Sequence, residues 1–146
     1  MLAVDVNLLV SAFRADAVDH VAASDWLERA VDHPEPVGLS DSVLGGVVRI
    51  LTNRRVFATT TPLQRALEQT GRLRAHPGVV TLSPGPRHWE LFELLCREAE
   101  VKGNLVADAQ HAALALEHGA TWVSKDRDFA RFRSLRWRHP YDDRVS

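Results

Sequence analysis

Met1-Leu2-Ala3-Val4-Asp5-Val6-Asn7-Leu8-Leu9-Val10 is the stretch from which the rest of the chain can be read. Leu2 to Val4 is a short unbroken apolar run, the pattern of a buried strand. Asp5 stops it. Leu8, Leu9, Ala12 and Phe13 then recur with helical spacing, which predicts a helix starting near Asn7. An acid set directly after a buried strand, with apolar residues resuming soon after, is rarely mere surface. In open α/β sheets, ligands bind at the carboxyl ends of the strands, so Asp5 is the first candidate site residue.

The same alternation continues outward. Val18, Val21, Ala22, Trp26, Leu27 and Ala30 predict an amphipathic helix over 18–31, which Pro34 and Pro36 end. Val37 to Leu39 reads as a strand. Ser40, Asp41 and Ser42 offer N-caps for a helix reaching about Thr52. Pro62 opens a helix to about Arg74, and the Pro77-Gly78 turn leads into a strand over Val79 to Leu82. Helices follow over 87–100 and 104–118, the second closed by Gly119. Thr121 to Ser124 reads as a fourth strand, Asp128 to Phe132 as a short helix and Leu135 to Trp137 as a last strand. The tail from Asp142 to Ser146 is polar, with fraying expected. The expected fold class is α/β: a short, mostly parallel sheet of four to five strands flanked by helices. With no linker, repeat or composition shift, residues 1–146 read as a single domain.

Composition narrows the setting. The 146 residues are 45% hydrophobic and 25% charged, as in an ordinary globular domain with one sizeable core. There are 16 Arg but only 2 Lys. Arg grips phosphate with two parallel hydrogen bonds, so the bias suits RNA. The plainer reading, and the one favoured for the overall bias, is general composition, since Ala and Val are abundant alongside it. Cys96 stands alone, which rules out an intramolecular disulfide and fits a reducing compartment; a packing role is expected for it. Met1 to Val4 is too short for a signal peptide, and no run approaches the roughly 18 apolar residues of a membrane span. A cytoplasmic protein is expected.

The remaining acids sort by the strand-end rule. Asp126 follows the fourth strand, Asp128 lies two residues on, and Asp108 sits one turn into the preceding helix. Each has a plainer role open to it: Asp126 or Asp128 as a helix cap, Asp108 as a solvated helix residue. Asn7 is a helix cap, a partner for Asp5, or both. Carboxylates that converge without basic partners repel one another unless a cation neutralises them. Mg²⁺ or Mn²⁺ suits oxygen ligands, and such a site hydrolyses phosphodiesters. A phosphatase with Asp5 as nucleophile is the competing enzyme, but Asn7 stands where its general acid belongs. Arg49, Arg54 and Arg55, and Arg127, Arg131, Arg133, Arg136 and Arg138 with Trp137 and His139, line an RNA path or form a solvated face. His111, one turn after Asp108, reads as a packing residue, and Trp26, Trp89 and Trp122 as core. No His spacing suits zinc, and no Walker A motif, dinucleotide loop or Gly-x-Ser-x-Gly elbow is present.

Three segments together resemble the PIN domain family, and within it the VapC-type toxins of bacterial toxin–antitoxin pairs. They are Met1 through Val10, Gly103-Asn104-Leu105-Val106-Ala107-Asp108-Ala109 continuing to Ala120, and Trp122-Val123-Ser124-Lys125-Asp126-Arg127-Asp128-Phe129. Leu44 through Asn53 and Arg55-Val56-Phe57 follow the mycobacterial style of these toxins. The likeness spans nearly the whole chain. It implies a PIN-like fold and an endoribonuclease using Mg²⁺ (or Mn²⁺), a homodimer neutralised by a VapB-type antitoxin. By motif, Asp5, Asp108 and Asp126 would be metal ligands, Asp128 a supporting acid, and Asn7 and Ser124 polar helpers. The sequence departs from the family in one place: Gly46 stands where a Glu is expected. Asp41, five residues earlier, is about 140° away around a helix, so a capping role suits it better than substitution. The departure leaves open a PIN-like protein that binds RNA or a partner with weakened or lost catalysis.

Overall fold

The structure, a computed structural model, describes residues 1–142; of the tail expected to fray, only Asp142 falls within them. In chain order the elements are β1 (Leu2–Val4), α1 (Val6–Phe13), α2 (His20–Asp32), β2 (Val37–Ser40), α3 (Asp41–Leu51), α4 (Leu63–Ala75), β3 (Val79–Leu82), α5 (His88–Ala99), α6 (Leu105–Glu117) and β4 (Thr121–Val123). A short 3-10 helix (Arg127–Arg131) and β5 (Trp137–Arg138) complete the described part. The strands form one sheet in the order β3-β2-β1-β4-β5, and every neighbouring pair is parallel. This is the expected α/β architecture, with its last strand displaced by two residues at the start.

β1 is wholly buried in the middle of the sheet, which is why it reads as unbroken apolar sequence. Leu8 and Leu9 of α1, Leu39 of β2, Val43 and Val47 of α3, Leu95 of α5 and Val123 of β4 join it in the core. α6 packs through a row of small residues, Ala109, Ala112, Ala113 and Ala115, all buried. Gly119 follows its last turn at φ +63°, a conformation that costs a side-chain-bearing residue about 1 kcal/mol.

Two expectations change. Trp89 is 65% exposed and packs at a tilt on Phe92, with ring centroids 5.2 Å apart. Its helix repeat is real, but the buried face of α5 is carried by Leu91 and Leu95. Asp41 does not cap α3: the Ser40 hydroxyl accepts from the Val43 N–H at 3.0 Å. Asp41 occupies the first turn and pairs with Arg74 at 2.8 Å.

The strand order fixes the geometry of function. β1 lies between β2 and β4, and the chain direction reverses its lateral progress there, so a crevice opens at the carboxyl ends of the central strands. Asp5, Ser40 and Ser124 leave the sheet at that edge.

Candidate metal centre

Asp5 follows β1 and caps α1: its Oδ1 accepts from the Val6 N–H at 2.6 Å, while its own N–H donates to Val123 O at 2.9 Å. Its residue is only 8% exposed. Ser124, completely buried at the end of β4, donates from Oγ to Asp5 Oδ2 at 2.6 Å. The same Oγ accepts from Asn7 Nδ2 at 3.1 Å and from the Asp126 N–H at 3.0 Å. Asn7 Oδ1 in turn accepts from the Lys125 N–H at 3.3 Å. One hydroxyl therefore ties together the loop after β1 and the loop after β4.

Electrostatics mark the same spot. Burial pushes the Asp5 carboxyl above its ordinary range; hydrogen bonds from Ser124 and Val6 pull it back, and the charge of Asp126 pushes it up again. Asp108 is half-buried on α6. Burial and then the charges of Asp126 and Asp5 push its carboxyl up, against weaker pulls from His111 and Arg131. The three acids, drawn from three elements, thus act on one another electrostatically. They do not form a closed ligand cage: among the described residues, no three His, Cys, Asp or Glu side chains are drawn together tightly enough to hold an ion. Mutually repelling carboxylates, one of them buried and anchored by a neutral hydroxyl, fit a divalent cation as the missing countercharge.

The other expected residues separate into groups. Asp126 also caps the 3-10 helix, accepting from the Asp128 N–H at 2.9 Å. Asp128 is exposed, lies 3.8 Å from Arg131 and is absent from the charges acting on Asp108. Arg127 turns away from the acids and pairs with Asp142 through two 3.1 Å hydrogen bonds. Arg136 donates to Gly119 O. His111 stacks on Trp122 at 5.5 Å, and burial lowers its pKa, as suits a packing residue. Cys96 packs against the core, and burial raises its thiol pKa. A Cβ at Gly46 would stand 3.1 Å from Val6 Cγ2, so α3 presses closely on α1 beside Asp5.

Sequence reading passed over Lys125. Its ammonium donates to Ser11 Oγ at 2.6 Å and to Asp19 Oδ2 at 2.9 Å, and Tyr141 OH donates to the same Asp19 oxygen at 2.7 Å. This network anchors the loop bearing Ser124 and Asp126 onto α1 and the start of α2. Its one advance sign is Ser11, a polar residue on the apolar face of α1 that is buried.

The PIN domain family model matches residues 2–135. Ribonuclease VapC43 of Mycobacterium tuberculosis is 52% identical over 142 residues, covering 97% of this chain and 97% of its own length. Ribonuclease VapC25 of the same species is 39% identical over 96% of this chain and 99% of its own. Among solved structures, VapBC2 from Rickettsia felis, bound to a DNA fragment from its promoter, matches with a TM-score of 0.70 at 16% identity, over 94% of this chain and 97% of that one. VapC20 of Mycobacterium tuberculosis, a sarcin–ricin loop cleaving toxin, matches with a TM-score of 0.61 at 22% identity, over 93% and 99%. The two structural likenesses speak for the fold, and the two sequence likenesses, nearly end to end, for descent: this chain belongs to the PIN domain family, beside its mycobacterial VapC members.

Proposed function

We propose that the chain is a divalent-metal-dependent endoribonuclease and the toxin half of a VapBC-type pair. The observation that carries this reading is the Ser124 hydroxyl, which holds Asp5, Asn7 and the start of the Asp126 loop in one hydrogen-bonded cluster at the strand-end crevice. Support comes from relatives that are named ribonucleases.

Asp5, Asp108 and Asp126 would hold Mg²⁺ or Mn²⁺. When bound, such an ion lowers the pKa of a coordinated water and offsets charge on phosphate oxygens. The protein's part is to orient. Asp5 keeps its two oxygens fixed by Val6 and Ser124. Asn7 and Ser124 set the spacing between the two loops. Arg131, which acts electrostatically on Asp108, would meet RNA phosphate at the rim. Asp128 supports from outside, through Arg131. Asn7, bonded at both ends of its amide, does not serve as the general acid of an aspartyl phosphatase.

RNA is the substrate, a VapB-type antitoxin the cognate inhibitor, a homodimer the working form, residues 1–146 one domain and the cytoplasm its compartment. Val18 and Val21 stand exposed in the lining of a groove of about 880 Å³ between α2 and the Pro140–Tyr141 segment, a surface suited to a protein partner. No helix among the described residues is long and apolar enough to cross a membrane. Gly46 favours a second reading, a PIN-like binder of RNA or partner without catalysis, because the expected Glu is absent and Val6 fills the space beside it.

The test is incubation of total cellular RNA with purified, antitoxin-free protein in Mg²⁺ or Mn²⁺, then with EDTA, beside Asp5→Asn. Discrete fragments that need metal and Asp5 support the nuclease. A folded protein that binds RNA and cuts none supports the second reading.

A further inference from the structure

We propose that a pocket beside the acids is a nucleobase subsite, which selects one base next to the scissile phosphate; this rests on the ribonuclease reading of the acid site. The pocket lies where β2 and β3 end against α6 and has a volume of about 280 Å³. That is just under the roughly 300–1,000 Å³ of pockets that enclose whole drug-sized ligands, a size suited to one base. Its place is set by register. Ala3 of β1 pairs with Gly38 of β2, so Asp5 and Ser40 leave neighbouring strands two residues later at the same edge, about 5 Å apart across the sheet. His111 of the pocket follows Asp108 by three residues on α6, which puts the two on one face about 5–6 Å apart.

The lining suits a base better than a phosphate. Leu82, Pro84 and Leu114 supply apolar surface. Ser42, His88 and Gln110 supply hydrogen-bonding groups, and Asp41 is the charged member; no Arg or Lys lines the pocket. An anion is therefore disfavoured, while a neutral ring with donor and acceptor edges is favoured. His88 Nδ1 is buried with no hydrogen-bond partner, and the Gln110 amide and Ser42 hydroxyl have no partner among the described residues. Buried polar atoms are seldom left unmet in folded proteins, and of the three only His88 Nδ1 is buried; the Gln110 amide and Ser42 hydroxyl lie exposed at the rim, open to the edge of a base. Unstacked bases of single-stranded RNA are read in this way, by apolar contact and hydrogen bonds to their edges.

The experiment is fluorescence anisotropy of the full-length, metal-free protein with fluorescein-labelled rA6, rC6 and rU6, beside Ser42→Trp, which fills the pocket, and Gln110→Ala. The wild type is expected to bind one hexamer at least about fivefold more tightly than another, the scale of one well-made base contact. Ser42→Trp is expected to bring that spread below about twofold with circular dichroism unchanged, and Gln110→Ala, an exposed change that leaves the fold intact, to narrow it. No ranking in the wild type, or the same ranking in both variants, overturns the subsite. Total-RNA cleavage run in parallel separates the two readings. A ranking in binding without cleavage overturns the nuclease and keeps the subsite. Cleavage without a ranking does the reverse.

Discussion

Ser124 Oγ donates a 2.6 Å hydrogen bond to Asp5 Oδ2, joining residues 119 positions apart and tying the loop after β4 to the loop after β1. The hydroxyl is completely buried and also accepts from Asn7 and the Asp126 N–H, so its loss strands several polar groups at once. Ser124→Ala is expected to destabilise the protein by about 1–3 kcal/mol, the cost of leaving such groups unmet. It is also expected to weaken Mn²⁺ binding at least about tenfold, as loss of a group that orients a metal ligand does. Urea unfolding and calorimetric titration with Mn²⁺ check the two effects. Unchanged metal affinity would show that Ser124 serves the fold alone.

Metal binding has a signature independent of catalysis. A ligand that binds only the folded state raises stability with its concentration, by about 2.7 kcal/mol at a hundred times its Kd. Mn²⁺ is expected to raise the Tm of the wild type progressively and to leave Asp5→Asn nearly unmoved. The variant without metal should be at least as stable as the wild type, because a desolvated charge is gone. Differential scanning fluorimetry across a Mn²⁺ series reads both. Equal shifts in the two proteins would place the ion elsewhere.

The first ten residues already told much of this. An unbroken apolar triplet followed by an acid specifies a central strand with a carboxylate at its end, because both faces of β1 are covered and its carboxyl end opens on the crevice. The strand order and the pairing of Asp41 with Arg74 were not legible, since partners 33 residues apart leave no local spacing to read. The Lys125 network was hidden for the same reason: Ser11, Asp19 and Tyr141 converge only once α1, α2 and the end of the described chain are packed. Trp89 misled because a helical repeat names a residue's face and does not say whether that face is covered.

That network gives the protein an acid-sensitive brace. Burial opposes ionisation of Asp19, yet hydrogen bonds from Lys125, Tyr141 and Ser11 and the Lys125 charge outweigh it and hold the carboxyl at about 2, below the ordinary 3.8. A folded pKa below the unfolded one means that the stabilisation is complete above pH 3.8 and is lost as pH falls from there through about 2. The shift corresponds to at most about 2.5 kcal/mol, reduced to about 1 kcal/mol by solvent at a side chain 27% exposed. Asp19→Asn is expected to lose about 1 kcal/mol at pH 7 and to approach the wild type only below about pH 2. Urea unfolding across that range checks it; a constant difference at every pH would assign the loss to packing.

Gly45 and Gly46 are neighbours in α3 with opposite surroundings. A Cβ at Gly45 meets nothing within 4 Å, whereas one at Gly46 comes within 3.1 Å of Val6 Cγ2. Ala replaces Gly in an open helix interior with a gain of about 1 kcal/mol, so Gly45→Ala is expected to stabilise by that amount. At Gly46 the same propensity gain is opposed by a β-branched neighbour that has few other rotamers within α1. Gly46→Ala should therefore be neutral or lose up to about 1 kcal/mol, and the longer Gly46→Glu should lose more, by overpacking. Paired urea denaturation of the three variants decides the matter. A Gly46→Glu protein as stable as the wild type, with tighter Mn²⁺ binding, would mean that Val6 yields and that the site still has room for a fourth carboxylate. A destabilised one with unchanged Mn²⁺ affinity would mean that α3 has packed that room away and that a carboxylate at position 46 does not reach the ion.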